Sequence, residues 1–405
     1  MKKITQVVLH ENAHLDEHLA LFLVREYGKH RFDVSGATLG DFTTGVWPEG
    51  LSAENSPGVL FLGCAGGMFD EHGKDREICC ARLVADYLAI GREKSLDNLL
   101  YQVEVEDREG AGDLKNHLAL VVKGMAFFQG KKTEEVYKWL KPLFTSIIKS
   151  EQECWDKVCA EVDALNLSSS SLSWAEKNAR FRKAECLWLP FTLENCAKLI
   201  SKTIDAKFAA EWLTKGQKAL AVKQELFEAA VAEIKASGRI VKFESFRGSV
   251  SMLVIQSDNP QVGPATRYQG YDIVVHQKRS GNTTIMTKKG RQIWLNNVTK
   301  LIRAEEAQLR GVDVSKQKLD CEGTLMAVPN WHLHEGICTQ LYNGTLTASA
   351  VEPTAISLDR VVELVQEGLK PRKPRVKHAG ARVIKNPTAH EDFGPAKEAL
   401  EGACK

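Results

Sequence analysis

Residues 59–64 read VLFLGC, a short run without a charged side chain. A segment this brief and this apolar suits a strand covered on both faces. Such strands belong to sheets flanked by helices, and the surrounding sequence agrees. Residues 4–9 form another apolar run of strand length. Residues 15–27 carry Leu15, Leu19, Phe22, Leu23 and Tyr27 at helical spacing. Residues 78–90 repeat the helical pattern through Ile78, Ala81, Leu83, Val84 and Leu88, and residues 114–128 continue it. Strand and helix patterns in alternation predict an α/β lobe built on a parallel or mixed sheet over residues 1–128.

From residue 129 to 237 the pattern is almost wholly helical, with acidic and basic residues interleaved as on solvated helices, and SSSSLS (168–173) marks a loop. This stretch reads as a long helical insert or connector. Strand patterns resume at residue 239 with RIVKFESF and VSMLVIQS. YDIVVHQKRSGNTTIMTKKG predicts a hairpin turning at Ser280-Gly281-Asn282. Helices are expected at 295–309 and 358–369. Residues 238–370 therefore make a second, smaller α/β domain, and 371–405 a basic, proline-bearing flexible tail. A chain of 405 residues suits this many cores.

No apolar run approaches the about 20 residues of a membrane span, so no membrane partner is expected. The first residues read as a strand, not a secretory signal. The ten cysteines contain no CxxC pair, which leaves zinc ribbons and thioredoxin-type motifs unsupported. Ten reduced, mostly buried thiols in a cytoplasmic protein are the expectation. No P-loop and no GxGxxG after a strand is present, which argues against an ATPase or a dinucleotide dehydrogenase. The net charge of +2 decides nothing about partners. Basic residues gather locally at Lys288-Lys289-Gly290-Arg291, at 177–183 (KNARFRK) and in the tail, as phosphate-binding surfaces and solvated helices both do.

The segment His10-Glu11-Asn12-Ala13-His14-Leu15-Asp16-Glu17 spans the end of the first strand and the start of the first helix. Ligands of α/β sheets bind at the carboxyl ends of strands. Two imidazoles and a carboxylate there suit a divalent transition metal, whereas a single His14 or Asp16 would be read as a helix cap. A second segment, Gly63-Cys64-Ala65-Gly66-Gly67-Met68-Phe69-Asp70-Glu71-His72, leaves the buried strand at the same edge and presents Asp70 and His72 from a glycine turn. Asp107, in QVEVEDREG, ends a helix pattern. His10, His14, Asp16, Asp70, His72 and Asp107 are expected to converge. In WHLH, strand alternation turns Trp331 and Leu333 to the core and places His332 and His334 on one outer face.

The order His-x-x-x-His-x-Asp-Glu, then a strand with Gly-Gly and Asp-x-His, then a helix and an isolated Asp, resembles the DHH phosphoesterases, closest to the branch of Myg-type, metal-dependent hydrolases. The resemblance implies an N-terminal DHH-like domain and a C-terminal DHHA1-like domain. It implies two divalent ions, Mn²⁺ or in its place Mg²⁺ or another transition metal, and hydrolysis of phosphodiester bonds in short single-stranded nucleic acid or oligonucleotides. By the same resemblance Asp70, Glu71 and His72 are catalytic, with Glu71 standing where the family has its middle histidine. Cys64 stands where it has a metal-binding aspartate. VPNWHLHEG (328–336) and LYNG (341–344) resemble the substrate-binding segment, which implicates His332, His334, Gly336, Asn343 and Gly344. The Cys64 and Glu71 departures favour another reading, a catalytically degenerate module that binds nucleic acid or nucleotide, which the intact His10, His14, Asp16 and Asp107 set opposes. A third, a small-molecule phosphatase or pyrophosphatase, keeps the same metals and changes only the substrate clamp.

Overall fold

The computed structural model describes residues 1–42, 56–71, 78–110, 116–128, 133–164, 191–335, 338–344 and 351–371. The loop expected at 168–173, the basic run 177–183 and the tail beyond 371 lie outside them.

Three strands, β2 (Gln6–His10), β4 (Thr38–Phe42) and β5 (Val59–Phe61), form a parallel sheet in the order β4-β2-β5, and β1 (Lys2–Lys3) pairs in parallel with β3 (Phe32–Asp33). The central position of β2 carries the His10–Glu17 segment to the middle of the sheet edge. Asn12, in the tight link that follows, has φ +63, a conformation asparagine tolerates better than most residues. Helix α1 (Leu15–Tyr27) then begins with Asp16 and Glu17 in its first turn. Helices α2 (Cys80–Tyr87) and α3 (Lys94–Glu109) pack against it.

The helical segment expected as a connector is also part of this first core. Its helices are α5 (Thr133–Ala164), α6 (Leu193–Thr203) and α7 (Ala206–Ser237), preceded by α4 (Leu118–Phe128). Leu140, Phe144, Ile200, Trp212 and Ala219 bury in the same cluster as Val7, Leu9 and Leu19. Trp139 and Trp212 stack at 4.3 Å, and each indole N–H donates to the other residue's carbonyl. Cys154, on α5, is disulfide-bonded, which corrects the expectation of ten reduced thiols. Cys64, Cys79, Cys80 and Cys196 are free and buried.

Helix α7 has 32 residues and is about 48 Å long. Its first half lies in the core just described, whereas Ala230 and Ile234 pack onto the second sheet. That sheet, with seven strands, is the largest of the three. Its strands are β6 (Arg239–Ser245), β7 (Gly248–Gln256), β8 (Ile273–Gln277), β9 (Thr283–Thr287), β10 (Gly323–Leu325), β11 (Val328–Glu335) and β12 (Thr339–Tyr342). Their order is β10-β11-β12-β9-β8-β7-β6, antiparallel except for the β7–β8 pair. Alternation decides which residues face where. Val250, Met252 and Val254 face α9 (Asn296–Leu309) and α10 (Leu358–Leu369), while Leu253 and Ile255 face α7 and α8 (Val262–Tyr268). Both sheets sit in the compact unit Met1–Lys370. Among the described residues no helix is long and apolar enough to cross a membrane.

Helices α4 and α7 meet at Gly124, where a Cβ would lie 2.5 Å from the Ala219 carbonyl oxygen. Gly124→Ala is therefore expected to force these helices apart and to cost about 1–3 kcal/mol, read as a lower urea midpoint with an unchanged m value.

Candidate metal centre

Helix α1 opens at His14, whose backbone is extended (φ −84, ψ 179), so the chain turns from β2 into the helix at this residue. Glu17, three residues on, accepts a hydrogen bond from the His14 backbone N–H, the reciprocal half of a capping box. Its other oxygen pairs with His10 Nδ1. Burial pushes the Glu17 carboxyl up, but His10 and His14 outweigh it and hold the group down at about 2. Glu17 is thus a buried carboxylate that ties the strand end to the helix start. Gly63 makes room for it: a Cβ there, at φ +67, would come within 2.8 Å of Glu17 Cγ.

Asp16 points elsewhere. It is 2% exposed, and among the described residues no donor reaches its Oδ2. Burial raises its pKa well above the ordinary value, and Asp107, Glu17, Glu71 and Glu106 raise it further. Asp107 arrives from the last turn of α3, just before Gly110. His14, Asp16 and Asp107 each offer one ligand atom, and these atoms lie within 4.8 Å of one another. Donors sharing one ion at about 2.0–2.2 Å stand no more than about 4.4 Å apart, so small side-chain rotations close the set on a cation. Asp16 forms the buried floor, and His14 and Asp107 are exposed at the mouth. The positive end of α1 favours the carboxylates, and the negative end of α3 favours a cation. A buried, undonated carboxylate oxygen among four other acids is costly without a positive charge to answer it. The donor set therefore fits a divalent ion.

The chain has no match among models of protein families, characterised proteins or solved structures. The site rests on its own geometry.

The other expected residues have different surroundings. His10 is held by Glu17 and stands outside the His14–Asp16–Asp107 group. Asp70 is buried, and its Oδ2 accepts from the Gly66 N–H at 2.6 Å, so it orders the glycine turn. Glu71 lies near enough to Asp16 to raise its pKa. The Cys64 thiol donates to the Val8 carbonyl, and burial, with Glu17 and Asp70 nearby, pushes its pKa up. In the metal-free chain it is a neutral, buried thiol. His72 lies outside the described residues.

In the second sheet, Trp331 and Leu333 are fully buried and His332 and His334 share the opposite face. His332 Nδ1 is 2.8 Å from Thr324 Oγ1 on β10. Asn343, implicated in substrate binding, is engaged in the fold instead. Its amide donates to the carbonyls of Asn330 and Glu352 and accepts from the N–H groups of Thr283 and Thr354. Both donors and both lone pairs are in use, which leaves nothing for a substrate. Gly344 follows β12 with φ +77, and Gly336 lies outside the described residues.

Sequence reading assigned no role to Glu17, Glu106 or Lys123. Glu106 is buried beside Asp107. Burial raises its carboxyl, Lys123 lowers it in part and Asp107 raises it. The signals were there: Glu17 completes the capping-box spacing from His14, and Glu106 falls on the buried stripe of α3 with Leu99 and Val103.

Proposed function

We propose that this chain is a divalent-metal-dependent phosphoesterase of the DHH kind, acting on phosphodiester bonds of short single-stranded nucleic acid or oligonucleotides. In this reading residues 1–128 are the DHH-like domain and the seven-stranded lobe is the DHHA1-like one. Two observations carry it: the Asp16 carboxyl is buried with no donor at Oδ2, and one of its oxygens lies within 4.8 Å of ligand atoms of His14 and Asp107. These three residues would hold the ion. Bound there, a divalent ion supplies a Lewis acid that polarises a phosphoryl oxygen and makes a water acidic enough to lose a proton near neutral pH. The chain's own residues orient that chemistry. Glu17 fixes His14 through its backbone N–H, and Asp70 fixes the turn that carries Glu71.

The described ligands suffice for one ion. The set for a second would draw on His72, outside them, and on His10, Asp70 and Cys64, which are engaged elsewhere. That engagement favours, as the second reading, a binding module that keeps one cation and has lost turnover.

Calorimetric titration with Mn²⁺ and turnover of bis(p-nitrophenyl) phosphate and of a labelled dT12, each with Mn²⁺, Mg²⁺ or EDTA, separate the two. Saturable Mn²⁺ binding with EDTA-sensitive hydrolysis is expected. Mn²⁺ binding with no hydrolysis under any metal leaves the binding module. Absence of metal binding overturns both.

A further inference from the structure

Lys123 of α4 lies next to Glu106 at the edge of the acidic site and beside Lys223 of α7, whose pKa is lowered by burial and by Lys123 itself. Gly124 seats α4 on Ala219 of α7. Five residues beyond Lys123, Phe128 ends α4 and is 40% exposed. Phe128 lines an open depression of about 530 Å³ together with Lys207, Thr214, Lys215 and Lys218 of α7. As α4 advances, its neighbours on α7 move back along the chain, so the two helices run antiparallel. The lysines of α7 therefore extend away from Glu106. Lys207, Lys215 and Lys218 share one side of α7, and from Lys218 to Lys207 the helix rises about 16 Å, long enough for two or three phosphates of an extended strand. Among the described residues Lys207, Lys215 and Lys218 are in no ion pair or hydrogen bond, although Glu211 also lines the depression. Three cations against one carboxylate leave this face with a net positive charge that suits a polyanion.

We propose that the α4–α7 face is a binding track for single-stranded nucleic acid, with Lys218, Lys215 and Lys207 along the phosphates and Phe128 stacking on a base. The charges match a phosphate chain, and an exposed aromatic among cations is the pairing with which proteins hold single strands without reading sequence. The direction of the track, from Phe128 towards Lys123 and Asp107, rests on the phosphoesterase reading; the binding itself does not.

The test uses the full chain in EDTA, so that no turnover intervenes. Fluorescence anisotropy of labelled dT12 is followed between 50 and 200 mM NaCl. The paired change Lys215→Glu and Lys218→Glu is expected to weaken binding at least about tenfold. It should also reduce the slope of log K against log salt by about 1.4, at roughly 0.7 per lost phosphate contact on a single strand. Phe128→Ala is expected to weaken binding about tenfold with the slope unchanged, because stacking releases no counterions. The milder Lys215→Ala and Lys218→Ala pair, with circular dichroism of each variant, separates lost contacts from lost helix. Equal affinity and slope in folded variants overturn the track. So does wild-type protein that ignores dT12 but sediments with vesicles of phosphatidylserine and phosphatidylcholine, which assigns the face to an anionic lipid surface. Because metal is absent throughout, failure here leaves the phosphoesterase reading standing. Failure to hydrolyse likewise leaves the binding result intact.

Discussion

Asp16→Asn is expected to reduce Mn²⁺-dependent turnover at least about a thousandfold while leaving the metal-free protein as stable as the wild type, or more so. A thousandfold loss corresponds to about 4 kcal/mol of lost transition-state stabilisation. Asparagine keeps the size of Asp16 but can neither neutralise a cation nor repel the neighbouring Asp107, Glu17, Glu71 and Glu106. Without metal the substitution relieves a buried charge that no donor answers at Oδ2. With metal the balance reverses. An ion that binds only the folded wild type stabilises it by about 2.7 kcal/mol at a concentration of 100 Kd. Thermal unfolding with and without Mn²⁺ should therefore show a rise of several degrees for the wild type and none for Asp16→Asn. Retained turnover, or an unchanged Mn²⁺-induced rise in Tm, would remove Asp16 from the ligand set and with it the proposed site. Asp16→Ala should lose turnover equally. It also leaves a void at the start of α1, so asparagine gives the cleaner comparison.

The sequence made the start of some elements legible. Helices Leu15–Tyr27 and Leu358–Leu369 carry their own start signals: Glu17 completes a capping box, and the Ser357 side chain accepts from the Arg360 N–H. The hairpin around Gly281 was equally plain, because φ +95 at that turn demands glycine. Less legible was what each element packs against. The helical pattern of α5 to α7 is visible in the sequence, but an amphipathic stripe does not name its partner, and these helices share a core with β2 and α1. Pairing of β9 with β12 spans more than fifty residues, and nothing local in TTIMT or TQLY specifies it. At the site, the sequence supplied a set of donors. Of these, the structure draws His14, Asp16 and Asp107 together. Which donors remain available depends on their neighbours: Glu17 holds His10, the Gly66 N–H holds Asp70, and four backbone groups hold Asn343. Such engagement is a property of the fold and leaves no periodic or compositional mark.

Glu151→Gln is expected to make the protein more stable, and by an amount that grows with pH. Glu151 lies on α5 with no exposed surface, against the start of α3, the helix whose other end carries Asp107. Burial pushes its carboxyl up to about 8. Hydrogen bonding from Asn98 offsets part of that, and the charge of Asp97 adds to it. In the unfolded chain the group returns to its ordinary value of 4.5. Below pH 4.5 both states hold the proton and the group costs nothing. Between 4.5 and 8 the unfolded chain releases the proton while the folded chain keeps it, so rising pH favours unfolding. Near pH 8 the folded state ionises as well, and the loss levels off at an order of 3–5 kcal/mol. Glutamine matches the protonated form in shape and does not titrate. Urea unfolding at pH 5, 6.5 and 8 should therefore give nearly equal midpoints for the two proteins at pH 5 and a clear advantage for the variant at pH 8. The comparison isolates Glu151 from Asp16 and the other buried acids, because those titrate identically in both chains. A difference that stays flat from pH 5 to pH 8 would mean that the folded protein holds Glu151 ionised. The contact between α3 and α5 would then have to contain a positive charge or water that answers it.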